Sequence, residues 1–126
     1  MVSLAQKYLV EQSVKLFHET TLGRIFLGDS LDLFRDEIGA NEVDLIVTSP
    51  PFGLVRKKDY GNADADEYLE WFRPFAEAFH SALKPQGSLV IDIGGAWIHG
   101  QPTRSLYHYE LLIMLCREFG LKKERS

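Results

Sequence analysis

The tetrapeptide Ser49-Pro50-Pro51-Phe52 is the part of this chain best suited to chemistry, because it places a hydroxyl, backbone carbonyls and an aromatic ring side by side. It follows the apolar run 43–48, which has the composition of a buried strand. Two prolines end a strand and hold the preceding residues in extended geometry. The Ser49 hydroxyl and the Pro50 carbonyl can accept hydrogen bonds from an exocyclic amine, and Phe52 can stack on a flat ring. The alternative is that Ser-Pro-Pro is only a strand-ending turn.

A carboxylate and two glycines form a second candidate group at the end of another apolar run, residues 88–93. Asp92 is the only ionisable residue in that run, and a buried carboxylate is costly unless it is paired or used. It could act as a base or electrostatic partner near an amine, or be a hydrogen-bonded carboxylate at a strand end. Gly94 and Gly95 would let the backbone approach a ligand closely, but they suit a plain turn equally well.

The basic tripeptide Arg56-Lys57-Lys58 lies four residues beyond Phe52 and could contact phosphates if the Ser-Pro-Pro elbow holds a base. The alternative is a solvated run of charges in a loop. The net charge of −4 and the pI near 5.5 are not typical of a protein that binds DNA through bulk electrostatics, although they allow a local basic patch.

The composition indicates one domain of a globular protein, with 126 residues, 45% hydrophobic and 25% charged. No apolar stretch reaches the roughly 18 residues of a membrane span, and the N-terminus lacks a signal-peptide pattern. The single cysteine, Cys116, excludes an internal disulfide and fits a reducing cytoplasm. No metal site is predicted, because none of the four histidines has metal-ligand spacing to a cysteine or carboxylate: His18, His80, His99 and His108.

These candidate residues need elements to position them, and the pattern predicts alternating strands and helices. The runs 14–18 and 24–27 suggest a hairpin or strand pair, and Asp29-Ser30 can cap a helix over 31–38. The other predicted elements are a strand over 43–48, a helix over 67–83 with a kink or break at Pro74, a turn over 84–87, a strand over 88–93 and a helix over 105–119. This order predicts a parallel sheet with crossover helices. If the three strands are neighbours, the three candidate groups converge on one edge.

The segment Thr48 to Phe52 resembles the catalytic motif of amino-group DNA methyltransferases, in the Ser-Pro-Pro-aromatic form of the cytosine-N4 enzymes. Adenine-N6 enzymes usually carry Asp or Asn at the position of Ser49. The likeness runs from about Gly23 to Gly120 and includes Gly28-Asp29-Ser30, residues 83–95 and residues 107–110. It implies an α/β fold, part of a Rossmann-like S-adenosylmethionine-dependent methyltransferase sheet with permuted motif order. It also divides the chain into a lead-in (1–22), a catalytic part (23–120) and a charged tail (121–126).

The activity that the resemblance implies is methyl transfer from S-adenosylmethionine to cytosine N4 in duplex DNA, as in a bacterial restriction-modification system. Such an enzyme flips the target cytosine out of the helix. Ser49 and the Pro50 carbonyl would hold the amine, Phe52 would stack on the base, and Asp92, or a path through Ser49, would take the proton. The resemblance also implies cofactor contacts from four residues: Asp29, Ser30, Gly94 and Gly95. It implies a location in the bacterial cytoplasm, on the nucleoid.

The Phe-x-Gly-x-Gly-type loop that the family uses for the methionine part of the cofactor does not occur in these 126 residues. The resemblance therefore implies that the C-terminal portion is missing. The chain could be a truncated reading frame, one half of an enzyme completed by a second polypeptide that supplies cofactor loop and target recognition, or an inactive remnant. Two other classes stay open, namely a methyltransferase for adenine N6 or an RNA or protein amine, and a non-enzymatic interaction fragment.

Overall fold

The computed structural model describes residues 14–51 and 64–123 of this chain. Its elements in order are β1 (Lys15–Glu19), β2 (Arg24–Leu27), α1 (Ser30–Asp36), β3 (Val43–Thr48), α2 (Asp64–Ala82), β4 (Leu83–Ile91) and α3 (Tyr107–Glu118). Strands and helices are thus mixed along the described part of the chain, which confirms the α/β class. No helix among the described residues is long and apolar enough to cross a membrane.

The first two strands form an antiparallel hairpin of their own. The turn is fixed by Thr20, whose side-chain oxygen accepts a hydrogen bond from the Gly23 amide at 3.1 Å. The strand pair predicted from the sequence is therefore confirmed. The single sheet is not, because in the described residues β2 pairs with β1 and lies outside the sheet of β3 and β4. A short turn is enough to join antiparallel strands, so β1 and β2 pair without a crossover connection.

The strands β3 and β4 pair in parallel, with α2 as the crossover between them. Their register runs from Leu45↔Ser88 to Thr48↔Ile91. The bounds predicted for β3 are confirmed, whereas β4 begins earlier than expected, at Leu83. The register jumps between the first pair, Val43↔Leu83, and the next, so the predicted turn 84–87 lies inside β4 as an irregularity.

A kink or a break was predicted at Pro74; the helix α2 continues through it, so the break does not occur, and the kink stays a prediction. Pro74 is exposed, and the aromatic residues on both sides of it pack against their neighbours: Phe72 against Phe75, and Phe75 against Phe79. These contacts hold the helix together where one backbone donor is missing. The predicted core stripe of α2 is confirmed, because Phe72, Ala76 and Phe79 are all buried.

The core lies between the two longer helices and one face of the parallel strands. It consists of Ile46 from β3 and the buried faces of α2 and α3, with Leu89 and Ile91 of β4 packed against it. The opposite face of the strands is apolar but exposed, with Leu45 56%, Val47 68% and Val90 49% accessible. Parallel sheets are usually covered on both faces. In the described part of the chain, only one face of this sheet is covered.

Candidate active site

Ser49 and Asp92 meet at the edge where the two parallel strands end. The Asp92 amide donates to the Thr48 carbonyl at 2.9 Å, and the Ser49 hydroxyl donates to the Asp92 carbonyl at 3.3 Å. This contact joins residues 43 positions apart. It arises because Thr48 and Ile91 are paired in register, which places the residues that follow them side by side. Two of the three groups predicted to converge therefore do so.

A tyrosine of α2 holds the Ser-Pro-Pro elbow in place. The Tyr68 hydroxyl donates to the Pro51 carbonyl at 2.9 Å, and Tyr68 is itself buried in the core. Pro50 is buried as well, and within the described residues no donor contacts its carbonyl. The elbow thus has one carbonyl that the protein's own side chain fixes.

Asp92 differs from the sequence prediction in one respect, because it is exposed rather than buried. It follows Ile91, the last residue of β4, and is two positions beyond the exposed Val90. Alternation along the chain therefore turns it toward the uncovered side of the sheet. The cost of burying a carboxylate does not apply here, and any part that Asp92 plays depends on its position beside Ser49.

The glycines Gly94 and Gly95 are packed by the protein's own side chains. The Tyr107 hydroxyl donates to the Gly94 carbonyl at 2.5 Å. A Cβ atom on Gly95 would lie 2.7 Å from Cε1 of His108 and 3.0 Å from the Ser105 carbonyl. The close approach that glycine permits here is to His108, and cofactor contact by Gly94 and Gly95 stays a prediction. Nδ1 of His108 is buried and has no hydrogen-bond partner in the described part of the chain.

Asp29 caps α1, as the alternative interpretation of this residue proposed. Its carboxylate accepts a hydrogen bond from the Leu31 amide at 2.9 Å, and Ser30 is the first residue of the helix. Among the hydrogen bonds of the described residues, none joins Asp29 or Ser30 to Ser49 or Asp92. Their convergence with the other groups is not confirmed, because β2 belongs to the separate hairpin.

Several predicted site residues lie outside the described residues. These are Phe52 and the basic tripeptide Arg56, Lys57 and Lys58. In ranges 14–51 and 64–123, no three histidine, cysteine or acidic side chains are grouped so that they could hold a metal ion.

The clearest electrostatic effects occur away from this edge. On α2, Arg73 forms a hydrogen-bonded ion pair with Glu118 of α3, and this contact raises the pKa of Arg73. On α1, the hydrogen bond from Arg35 lowers the pKa of Asp36. Both ion pairs join helical residues and thus support the scaffold rather than the candidate site.

Sequence reasoning missed the residues that hold the site in place, namely Tyr68, Tyr107 and His108. Tyr68 lies four residues before Phe72, so it belongs to the same buried stripe of α2, and this spacing could have identified it as a core residue. Its bond to Pro51 spans 17 residues and depends on the packing of α2 against the elbow. The sequence carries no signal for that contact.

Comparison with known proteins gives matches to DNA methyltransferases. A family model described as DNA methylase, covering N6 and N4 enzymes, matches residues 43–124. The type II methyltransferase M.PvuII of Proteus hauseri is 45% identical over 82% of this chain and 30% of its own length. M.BglII of Bacillus subtilis is 37% identical over 62% of this chain and 21% of its length, and M.BamHI of Bacillus amyloliquefaciens is 36% identical over 64% and 19%.

A solved structure, the cytosine-N4-specific PvuII DNA methyltransferase, superimposes on this chain with a TM-score of 0.64 and 45% identity. The match covers 75% of this chain and 33% of that one. The chain therefore spans about a third or less of the length of the relatives it matches.

Proposed function

Because the chain belongs to the DNA methylase family of N6 and N4 enzymes, we propose that it carries the catalytic part of an enzyme that methylates cytosine N4 in duplex DNA. The observation that carries this proposal is the hydrogen-bonded junction of Ser49 and Asp92 at the shared ends of β3 and β4. The similarity to a cytosine-N4-specific enzyme supports the choice of base. Serine at position 49, where adenine-N6 enzymes usually carry Asp or Asn, supports the same choice.

Ser49 is oriented to accept a hydrogen bond from the amine. Its hydroxyl hydrogen is directed at the Asp92 carbonyl, so the lone pairs of Oγ are left to accept from the N4 amino group. The Pro50 carbonyl offers a second acceptor. Two acceptors on the two N–H groups would orient the nitrogen lone pair, and holding the reacting atoms at near-attack distance supplies much of the rate.

Asp92 is placed to receive the proton. When cytosine N4 acquires the methyl group it becomes positively charged and must release a proton to restore the neutral amine. Asp92 is exposed, and its backbone carbonyl accepts the hydrogen bond from Ser49. Its carboxylate can accept that proton or pass it to water. Phe52, proposed to stack on the flipped cytosine, completes the set.

The methyl donor proposed is S-adenosylmethionine, which supplies an electrophilic methyl group on a positively charged sulfur. Asp92, whose backbone carbonyl accepts from the Ser49 hydroxyl, also carries an exposed carboxylate, and a carboxylate at this edge suits the cationic part of the cofactor. We propose that Asp29, Ser30, Gly94 and Gly95 contribute further contacts. A Phe-x-Gly-x-Gly-type loop does not occur in these 126 residues. The experiment therefore also tests whether a second polypeptide supplies that loop.

The experiment is a methyl-transfer assay on the purified chain with deuterated-methyl S-adenosylmethionine and mixed-sequence duplex DNA. The assay is run alone and with bacterial lysate, and nucleosides are identified by mass spectrometry. We expect the product to be N4-methylcytosine. In a bacterial cell, we propose that the enzyme forms this product on the nucleoid in the cytoplasm. Ser49→Ala should lower the rate by about 10² or more, the order reported for loss of one positioned hydrogen bond at a reacting centre. Ser88→Ala, at an exposed serine of β4, is the matched control and should keep the rate.

The other outcomes separate the alternatives. N6-methyladenine, or label in RNA or protein without label in DNA, would overturn the cytosine assignment. Transfer by the chain and lysate together that exceeds the transfer by lysate alone, with none by the chain alone, would indicate that another polypeptide completes the site. Absence of transfer in both conditions would favour an interaction fragment without catalysis of its own.

A further inference from the structure

The segment after the candidate site folds back on itself as a short hairpin, residues 96–105. Ala96 and Ser105 exchange hydrogen bonds, with the Ser105 amide donating to the Ala96 carbonyl at 2.8 Å and the Ala96 amide to the Ser105 hydroxyl at 3.0 Å. The Ile98 amide donates to the Thr103 carbonyl at 2.9 Å. At the tip, Gly100 has φ +75, a backbone conformation that favours glycine. The loop is therefore a built element with its own hydrogen bonds.

The hairpin has an inner face and an outer face. Ile98 and Ser105 are 7% and 9% exposed and anchor the loop to the body of the protein. Alternation along the two arms turns Trp97 and Arg104 outward, where they are bridged to each other. Trp97 is 63% exposed, and the Arg104 guanidinium lies 4.8 Å from the centroid of its ring.

Arg104 is held against the Trp97 ring, with no counter-ion among the residues that the structure describes. The described residues provide no carboxylate partner for it, whereas Arg73 on α2 pairs with two. A guanidinium stacked on an aromatic face keeps its N–H edges free, and its fork matches a phosphate group. The pair therefore presents an oriented positive charge and an apolar ring to solvent on a chain whose net charge is −4.

The hairpin also leaves the sheet at the candidate active site. Trp97 is five residues beyond Asp92, so its Cα lies within about 18 Å of that of Asp92 even for fully extended chain. Nucleotides are spaced about 3.4 Å apart along one strand of duplex DNA. A base held at Ser49 would thus have its flanking phosphates, up to about five nucleotides away, within reach of the hairpin.

We propose that the Trp97–Arg104 pair is a DNA-backbone contact: Arg104 binds a phosphate that flanks the target base, and Trp97 packs against the adjoining sugar while holding the guanidinium. This inference rests on the proposed function and adds to it a binding site that is independent of the basic tripeptide 56–58. A phosphate contact positions the duplex and carries no sequence information, so the effect should be the same on any duplex.

The test is the salt dependence of duplex binding, measured by fluorescence anisotropy with the full 126-residue chain and a labelled mixed-sequence duplex. The logarithm of the association constant falls linearly with the logarithm of the salt concentration, and loss of one phosphate contact should make this negative slope shallower by about 0.9. We therefore expect the slope for Arg104→Gln to be shallower by about one, and its binding at low salt to be weaker. The matched control is Arg117→Gln, at an exposed arginine in the last turn of α3, which should leave the slope unchanged.

Tryptophan fluorescence supplies a second readout, because the chain has only two tryptophans, Trp71 and Trp97. In Trp71→Phe the emission comes from Trp97 alone, and duplex DNA should change its intensity. In Trp97→Phe the remaining emission should not respond to DNA, since Trp71 packs among the aromatic rings of α2.

The outcomes distinguish this inference from the proposed function. If the wild-type chain binds duplex DNA but Arg104→Gln keeps its slope and Trp97 emission is unchanged, the hairpin is not a contact and the proposed function stands. If the wild-type chain does not bind duplex even at low salt, the inference is overturned, and methyl transfer decides the proposed function separately.

Discussion

At the scale of single residues, the site depends on side chains that fix backbone carbonyls. Tyr68 holds Pro51 and Tyr107 holds Gly94, so the two loops that flank the strand ends are each tied to a different helix. Loops are the natural place for binding residues, but they position ligands only when a scaffold restrains them. These two hydroxyl groups provide that restraint on either side of Ser49 and Asp92.

Gly95 gives a direct test of this restraint. Gly95→Ala would place a methyl group 2.7 Å from Cε1 of His108 and 3.0 Å from the Ser105 carbonyl, closer than such atoms approach. We expect a loss of about 1–3 kcal/mol in the free energy of unfolding, typical of overpacking, measured by urea denaturation. Gly23→Ala is the control, because nothing lies within 4 Å of the added atom.

A second variant tests the cause of that loss. His108→Ala removes the ring that the added methyl group would meet. We therefore expect Gly95→Ala to cost less free energy of unfolding when it is made in the His108→Ala background than when it is made in the wild-type chain. Equal stability of Gly95→Ala and Gly23→Ala would contradict the assigned contact between Gly95 and His108.

The sequence predicted that Ser49 and Asp92 converge, together with Asp29, if their strands are neighbours, because parallel strands end at a common edge. It did not predict that Asp92 is exposed, since that depends on which face of the sheet is covered. The anchoring tyrosines were missed because each bond joins segments more than ten residues apart, 17 for Tyr68 and 13 for Tyr107.

At the scale of elements, α2 and α3 pack face to face and carry the core beneath the site. Leu111 of α3 is 1% exposed and Phe72 of α2 is 1% exposed, and both belong to the same cluster. The ion pair of Arg73 with Glu118 joins the same two helices at the surface. Since Tyr68 and Tyr107 are on these helices, their packing sets the position of both loops of the site.

Leu111→Ala tests this packing. We expect it to lower the free energy of unfolding by about 2–5 kcal/mol, because it removes buried methyl groups and leaves a cavity. Ile113→Ala on the same helix is the matched control, because Ile113 is 48% exposed and a surface change should cost about 0.5 kcal/mol or less. Urea denaturation followed by circular dichroism gives both values. Similar losses for the two variants would show that α3 does not pack by the face assigned to it.

Elements whose signal is local were predictable. The bounds predicted for β3 from its apolar run are those observed, and the stripe of Phe72, Ala76 and Phe79 predicted the buried face of α2. Pro74 was expected to kink or break that helix, and the break is absent because contacts of the neighbouring aromatic rings hold the helix together. The hairpin of β1 and β2 is a local pairing and was predicted, whereas its separation from the sheet of β3 and β4 is a non-local outcome that strand composition does not encode.

At the scale of the whole molecule, the dominant feature is the exposed apolar face of the β3–β4 sheet. Leu45, Val47 and Val90 are each about half exposed or more, on strands of a kind that is normally buried on both faces. Exposed edges and apolar faces of a sheet favour association with other chains.

We expect the isolated chain to bind a hydrophobic dye and to self-associate as its concentration rises, because association removes this apolar face from water. Val47→Lys places a charge at its most exposed position, 68% accessible, and should reduce both dye binding and the sedimentation coefficient at high concentration. Glu77→Gln, at an exposed position of α2, raises the net charge by the same one unit, so it is the control and should leave both unchanged. A wild-type chain that is monomeric at every concentration and binds no dye would contradict this account of the face. Alternation along β3 places Val47 and Ser49 on the same side of the sheet. If Val47→Lys nevertheless keeps the rate of methyl transfer of the wild-type chain, the uncovered face and the catalytic edge act independently.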